Sequence, residues 1–111
     1  MKAKAMKLNK EFKRVYYRGK SVVRPYVVVY ALKNRRGENR LGLTCGKAVG
    51  NAVRRNRAKR LMRESFRLLE PCLREGFDFV LVARSRTAGG SFQLVDKDLR
   101  AAMEKLELLL P

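Results

Sequence analysis

The chain has 111 residues, 46% hydrophobic and 33% charged, with 27 Lys and Arg against 10 Asp and Glu, a net charge of +17. That length and apolar share predict one domain with a real core, not a disordered chain. The charge calls for a polyanionic partner, and the absence of His removes every mechanism that needs an imidazole base or ligand.

Residues 1–8 are basic and read as a mobile tail. A short helix follows, with Asn9 as N-cap and Gly19 as its left-handed stop. Phe12, Val15 and Tyr16 form its apolar stripe. Residues 21–32 are rich in Val and Tyr and read as strand, with a break or edge at Pro25, which cannot donate to a ladder. Period-two alternation puts Tyr26, Val28 and Tyr30 on one face.

Residues 34–39 form a turn. Leu41, Leu43 and Cys45 then alternate with Gly42, Thr44 and Gly46, a strand with one buried side that makes Cys45 a small core residue. The main helix spans 51–70, capped by Asn51 and stopped by Pro71. Residues 77–84 are a nearly continuous apolar strand, as expected of one covered on both faces. A loop at 85–91 leads into a last helix capped by Ser91, with Val95, Leu99, Ala102, Met103, Leu106 and Leu110 on its apolar face. These elements predict an α+β fold, a two-layer α/β sandwich, with the whole chain 1–111 as a single domain.

Charge is unevenly placed. Residues 1–63 carry 20 Lys and Arg against Glu11 and Glu38, a net of +18, while residues 64–111 carry 7 against 8 acids, a net of −1. Such asymmetry reads as a binding face. The densest run is GNAVRRNRAKRLMRE, residues 50–64. On a helix, Ala58, Leu61, Met62, Ser65, Phe66, Leu68 and Leu69 fall on one side, and Asn56, Lys59, Arg60, Arg63 and Arg67 on the other. A row of like charges destabilises a free helix, so an anionic partner is the natural compensation. Arginine predominates, and its planar fork grips phosphate bidentately and stacks on bases. Asn51 and the first helical amides add donors at the positive helix end.

A second signal interleaves aromatic and basic residues. Phe12 and Tyr16 on the first helix, with Tyr26, Val28 and Tyr30 on the first strand, would line a groove edged by Lys13, Arg14, Arg18 and Lys20. Single-stranded RNA is held in such grooves. Taken alone, the same aromatics fit an ordinary core better, since an i, i+3, i+4 apolar stripe is normally core.

The sequence resembles the protein subunit of bacterial ribonuclease P. The resemblance rests on GLTCGKAVGNAVRRNRAKRLMRE (42–64), on LNKEFKRVYYRGKSV (8–22), on the strand ending at Ala83 and Arg84, and on the closing helix, covering about residues 8–108. It implies a mixed four-stranded sheet with three helices and a left-handed strand–helix–strand crossover, although right-handed crossovers are the rule. It implies an RNA-catalysed, Mg²⁺-dependent endonuclease that removes the 5′ leader of precursor tRNA, the protein being an accessory subunit without catalytic residues. The leader-binding residues it implies are Phe12, Tyr16 and Tyr30. Those it implies for the RNA subunit are Asn51, Arg54, Arg55, Asn56, Arg57, Lys59, Arg60 and Arg63. Tyr17 departs from the pattern and has no assigned role.

The residues agree that the protein does not cut by itself, since protein-based phosphodiester hydrolysis needs carboxylates for metals or a base. Asp78, Asp96, Asp98, Glu104 and Glu107 are read as solvated surface groups. Cys45 and Cys72 cannot assemble a zinc site and suggest reduced thiols in the cytoplasm. No run is long enough to span a membrane, and residues 1–10 lack the apolar region of a secretory signal. Partners are then the RNA subunit and precursor tRNA, with no membrane and no protein partner required. Mg²⁺ is expected mainly on the RNA, with no metal or cofactor in the protein. The rivals are a ribosomal protein, a self-sufficient nuclease and an anionic-membrane binder.

Overall fold

The structure is a computed structural model and describes residues 1–111. Its elements are β1 (Lys4–Ala5), α1 (Asn9–Arg18), β2 (Lys20–Val23), β3 (Val27–Lys33), β4 (Arg40–Thr44), α2 (Ala52–Leu69), β5 (Phe77–Ala83) and α3 (Phe92–Lys105). The strands form one mixed sheet in the order β1-β4-β5-β3-β2. β1, β4 and β5 run parallel, and β3 is antiparallel to both β5 and β2. No helix is long and apolar enough to cross a membrane.

The strand region 21–32 splits at Pro25, as its missing N–H requires. β2 and β3 form a hairpin in which Val23 faces Val28, closed by Arg24 N–H donating to Val27 O at 2.9 Å. β5 is central, and both its faces are buried: Phe79 and Leu81 enter the main core, while Val80 packs beneath α1. α2 and α3 lie over the main core, which includes Val29, Met62, Phe66, Leu81, Leu99 and Met103. α1 covers part of the opposite face through Val15.

The α+β class with three helices is as expected, but the sheet has five strands, and α1 adds a partial third layer. The fifth strand lies within residues 1–8, which were expected to be mobile. Lys4 and Ala5 pair with Arg40 and Leu41, and Met6 is only 5% exposed. A basic composition does not reveal a strand whose stability comes from one buried methionine and an open sheet edge.

Helix ends differ in detail. Leu8, not Asn9, is the N-cap of α1, and its N–H donates to Glu11 Oε1 at 3.2 Å. Gly19 is extended at φ −75°, not left-handed. It is needed for space, since a Cβ there would lie 2.5 Å from Val15 O and 2.9 Å from Ala31 O. Asn51 and Ser91 cap α2 and α3 as predicted, accepting from Arg54 N and Leu94 N. Leu68 is exposed at the edge of the α2 stripe. Leu110 is exposed too, because Glu107 turns left-handed at φ 62° and ends the helical period before it.

Asp98 is not a surface group. It is buried and accepts from Arg24 Nε at 3.1 Å and Tyr26 N at 2.8 Å, fastening the β2–β3 turn to α3. Asp96 accepts from Ser65 Oγ and Arg100 Nε, each at 2.8 Å, and so ties α3 to α2. Glu104 and Glu107 are exposed, as read.

Candidate nucleic-acid interface

The position of α1 on the sheet is set by buried charge. Arg40 on β4 forks onto Asp78 of β5, with Nε–Oδ1 2.8 Å and Nη2–Oδ2 2.6 Å, and its Nη1 donates to Glu11 of α1. Arg14, one turn along α1, reaches Asp78 Oδ2 at 3.2 Å, and Asn34 Nδ2 donates to Asp78 Oδ1 at 2.8 Å. Burial pushes the Asp78 carboxyl up, but hydrogen bonds from Arg40 and Asn34 and the charges of Arg40 and Arg14 outweigh it and hold it below the ordinary range. Glu11 is held low by the Leu8 N–H and then by Arg40. Asp78, read as a solvated group, is instead fully buried, the partner of two arginines.

This clamp aims two aromatics of α1 along the free side of β4. Phe12 lies over Gly42, where a Cβ would come within 2.6 Å of the ring. Tyr16 donates to or accepts from Thr44 Oγ1 at 2.6 Å and meets Tyr30 edge to face, with centroids 4.9 Å apart. β1 pairs only with Arg40 and Leu41, so the edge of β4 beyond them is open. A groove of about 470 Å³ runs there, lined by Asn9, Phe12, Lys13, Tyr16, Leu43, Thr44, Cys45 and Lys59. Phe12 and Tyr30 are half-buried and Tyr16 is 37% exposed, so these rings are part support and part accessible surface. Burial pushes the Cys45 thiol up, against the pull of Lys59 and Arg55, so it is partly core and partly groove wall.

The groove differs from the sequence reading in several residues, and Val28 does not line it. Tyr26 precedes β3 instead of belonging to it, packs against the main core and carries Arg86 over its ring at 5.9 Å. Pro25 breaks the alternation there, so the period-two count from Tyr30 fails. Arg14 is engaged by Asp78, while Arg18 and Lys20 line a separate hollow. Of the predicted cations Lys13 lines the groove, and Lys59 joins it. Thr44 was missed, because a threonine at a strand end carries no signal until its partner Tyr16 is placed.

Along α2, the predicted cations divide into two sets. Arg54 Nε donates to Val49 O at 3.1 Å, and Arg57 donates to Ala88 O at 2.8 Å and Gly90 O at 3.4 Å, so both fasten neighbouring loops. The Asn51 side chain is occupied by the cap. Arg55, Lys59, Arg60 and Arg63 form no ion pair, and Asn56 is exposed without a side-chain partner. The only carboxylate on α2, Glu64, is taken by Arg67 at 2.5 Å. A helix face with several unpaired cations and no competing acid is a phosphate-binding surface.

No group of three or more Cys, Asp or Glu is arranged to hold a metal ion. Glu11 and Glu38, the acids of the cationic half, face Arg40 and Lys4.

Residues 1–107 match the family model described as Ribonuclease P. A Ribonuclease P protein component from Thermoanaerobacter sp. (strain X514) is 41% identical over 110 residues, covering 97% of this chain and 95% of its own length. One from Caldanaerobacter subterraneus subsp. tengcongensis is 43% identical with the same coverage. Among solved structures, the RNase P protein of Staphylococcus aureus superposes with a TM-score of 0.86 at 30% identity, covering 97% of this chain and 99% of that one. The RNase P protein from Thermotoga maritima gives 0.78 at 31% identity, covering 88% and 93%.

Proposed function

The chain belongs to the ribonuclease P protein family, and from that premise we propose which of its surfaces meets which RNA. The family's protein is the component of a ribonucleoprotein endoribonuclease that works with an RNA subunit in tRNA 5′ processing, and that is the function of this chain. The α2 face, with Arg55, Lys59, Arg60 and Arg63 unpaired and Arg54, Arg57, Asn51 and Asn56 beside them, holds the RNA subunit. The groove between α1 and β4 holds the single-stranded 5′ leader of precursor tRNA, whose bases stack on Phe12 and Tyr16, with Tyr30 behind them. Residues 1–111 act as one RNA-binding unit. Mg²⁺ for the cleavage is held mainly by RNA, since the acids of the cationic half are committed to the protein's own arginines and lysines.

The observation that carries this reading is the pairing pattern. The acids of the cationic half are neutralised from within, while the outer face of α2 is left without a carboxylate partner for four cations. Stacking of bases on aromatics beside lysines is the chemistry of single-strand binding. The test is precursor-tRNA cleavage with RNA subunit alone, protein alone and both, repeated with Arg60→Ala/Arg63→Ala. The reading expects no cleavage by protein alone. It also expects the double variant to need a higher protein concentration to reconstitute activity, while assembled enzyme cuts at an unchanged position. Cleavage by protein alone, or reconstitution at the wild-type concentration, contradicts it.

A further inference from the structure

We propose a second RNA-strand site on the opposite face of the sheet from the α1 groove, at the corner where α3 ends. Strand register puts Lys20, Ala31, Lys33 and Phe77 on one face of β2, β3 and β5, because Lys20 faces Ala31 and Lys33 faces Phe77. α3 stops at Lys105 and leaves this corner of the sheet uncovered. The result is a hollow of about 410 Å³, with Ala31, Leu32, Phe77, Leu106 and Leu108 as apolar floor and walls. Its rim carries Arg18, Lys20, Lys33 and Arg74, against the single acid Glu107.

The walls are built, not loose. Arg74 N–H donates to Leu108 O at 2.8 Å, Arg74 Nε to Glu107 O at 3.2 Å, and Leu73 bridges Leu109. Arg18, Lys20 and Lys33 have no acidic partner in the fold. An apolar floor with a half-exposed Phe77 ring, rimmed by unpaired cations, matches a nucleotide's chemistry: base on the floor, flanking phosphates on the rim. A volume of this size lies at the small end of ligand sites and suits one base, not a duplex.

The occupant is a single-stranded segment of the RNA subunit. That RNA is the polyanion this family works with. The inference rests on the RNA partnership and not on the roles given to α2 or to the α1 groove.

The experiment measures binding of the full-length chain to the RNA subunit over a salt series, comparing wild type with Lys20→Gln/Lys33→Gln. Lys97→Gln/Lys105→Gln, an exposed pair on α3, removes the same charge elsewhere, and Arg60→Ala/Arg63→Ala reports on α2. The corner pair is expected to lose about tenfold in affinity at moderate salt and to reduce the salt slope by about 1.5, the value of two phosphate contacts. The α3 pair is expected to change the slope by less than half as much. With matched thermal midpoints, equal behaviour of the corner and α3 pairs overturns the proposal, and a loss confined to Arg60→Ala/Arg63→Ala leaves the α2 reading standing without it. A lowered ratio of precursor to mature tRNA affinity in the corner variant gives the hollow to the substrate and overturns the assignment as well.

Discussion

Beneath α1, Arg40 is buried and held by Asp78 and Glu11, whereas on the outside of α2 the residues Arg55, Lys59, Arg60 and Arg63 have no acid to hold them. The two regions use the same side-chain chemistry for opposite ends. A buried arginine must be neutralised within the fold, because desolvating an unpaired charge is costly. An exposed row is tolerated by solvent at a cost of a few tenths of a kcal/mol per like-charged pair, and that repulsion is relieved when phosphate arrives. The first arrangement places the aromatics of α1, and the second leaves a surface unfinished without RNA. Whether a cation belongs to structure or to function is therefore decided by the partner it finds in the fold, a carboxylate for Arg40 and a backbone carbonyl for Arg57, not by its place in a basic run. Arg14 and Arg60 lie in equally basic stretches and fall on different sides of that line.

The sharpest way to break the comparison is to remove one partner from each region. Asp78→Ala leaves Arg40 buried without its main partner and is expected to cost about 3–5 kcal/mol in a denaturant melt. Arg60→Ala is expected to stay within about 0.5 kcal/mol of wild type. Comparable losses in both would mean that the α2 cations also hold the fold together.

Acid is expected to act chiefly on the α1 side, where the depressed carboxylates are buried or partly buried, since Glu64 on α2 is paired at the surface and its pair counts for little. Asp78 and Glu11 are both held below the ordinary carboxylate range. A group depressed in the folded state contributes stability that is fully present above its unfolded value, about 4, and is lost as pH falls through the folded one. Thermal midpoints should therefore be level from about pH 7 to pH 5 and fall below about pH 4, and Asp78→Asn should flatten that fall. A wild-type midpoint unchanged down to about pH 2 would remove the clamp from the account.

Salt is expected to act on the RNA-facing cations and not on the clamp. The four unpaired cations of α2 predict a contribution of about −3 to the slope of log K against log salt in RNA-subunit binding, at about 0.7–0.9 per contact. Arg60→Ala/Arg63→Ala should make the slope shallower by about 1.5, with the melting midpoint of free protein unchanged. A slope near zero in wild type would contradict phosphate contact by this face.

Much of this was legible in the sequence because the signals are local. α2 shows its cap at Asn51, its stop at Pro71 and a 3.6-residue stripe, and each falls where read except at the edge residue Leu68. Phe12 and Tyr16 share a helix face by spacing alone, and the structure brings Tyr30 to them. What was illegible is non-local. Asp78 meets Arg40 across 38 residues and Arg14 across 64, and no window on a single strand shows that. The same holds for Asp98 with Arg24 and for the pairing of Lys4 and Ala5 with β4. Tyr26 was misplaced because Pro25 resets the strand period, a local signal read for the break but not for its effect on facing.

The smallest expected effect bears most directly on the central claim, that α1 is clamped in order to present a single-strand groove. Tyr16→Ala removes a 37%-exposed ring that supports Tyr30 and Thr44 and should leave the protein folded. Stacking is worth about 1–3 kcal/mol per base, and 1.4 kcal/mol is tenfold in affinity. The measurement is the ratio of precursor to mature tRNA affinity in the reconstituted enzyme carrying Tyr16→Ala. The account predicts that this ratio falls about tenfold, with mature tRNA binding nearly unchanged. A ratio equal to wild type, with both affinities lowered together, would make Tyr16 a packing residue and contradict the groove.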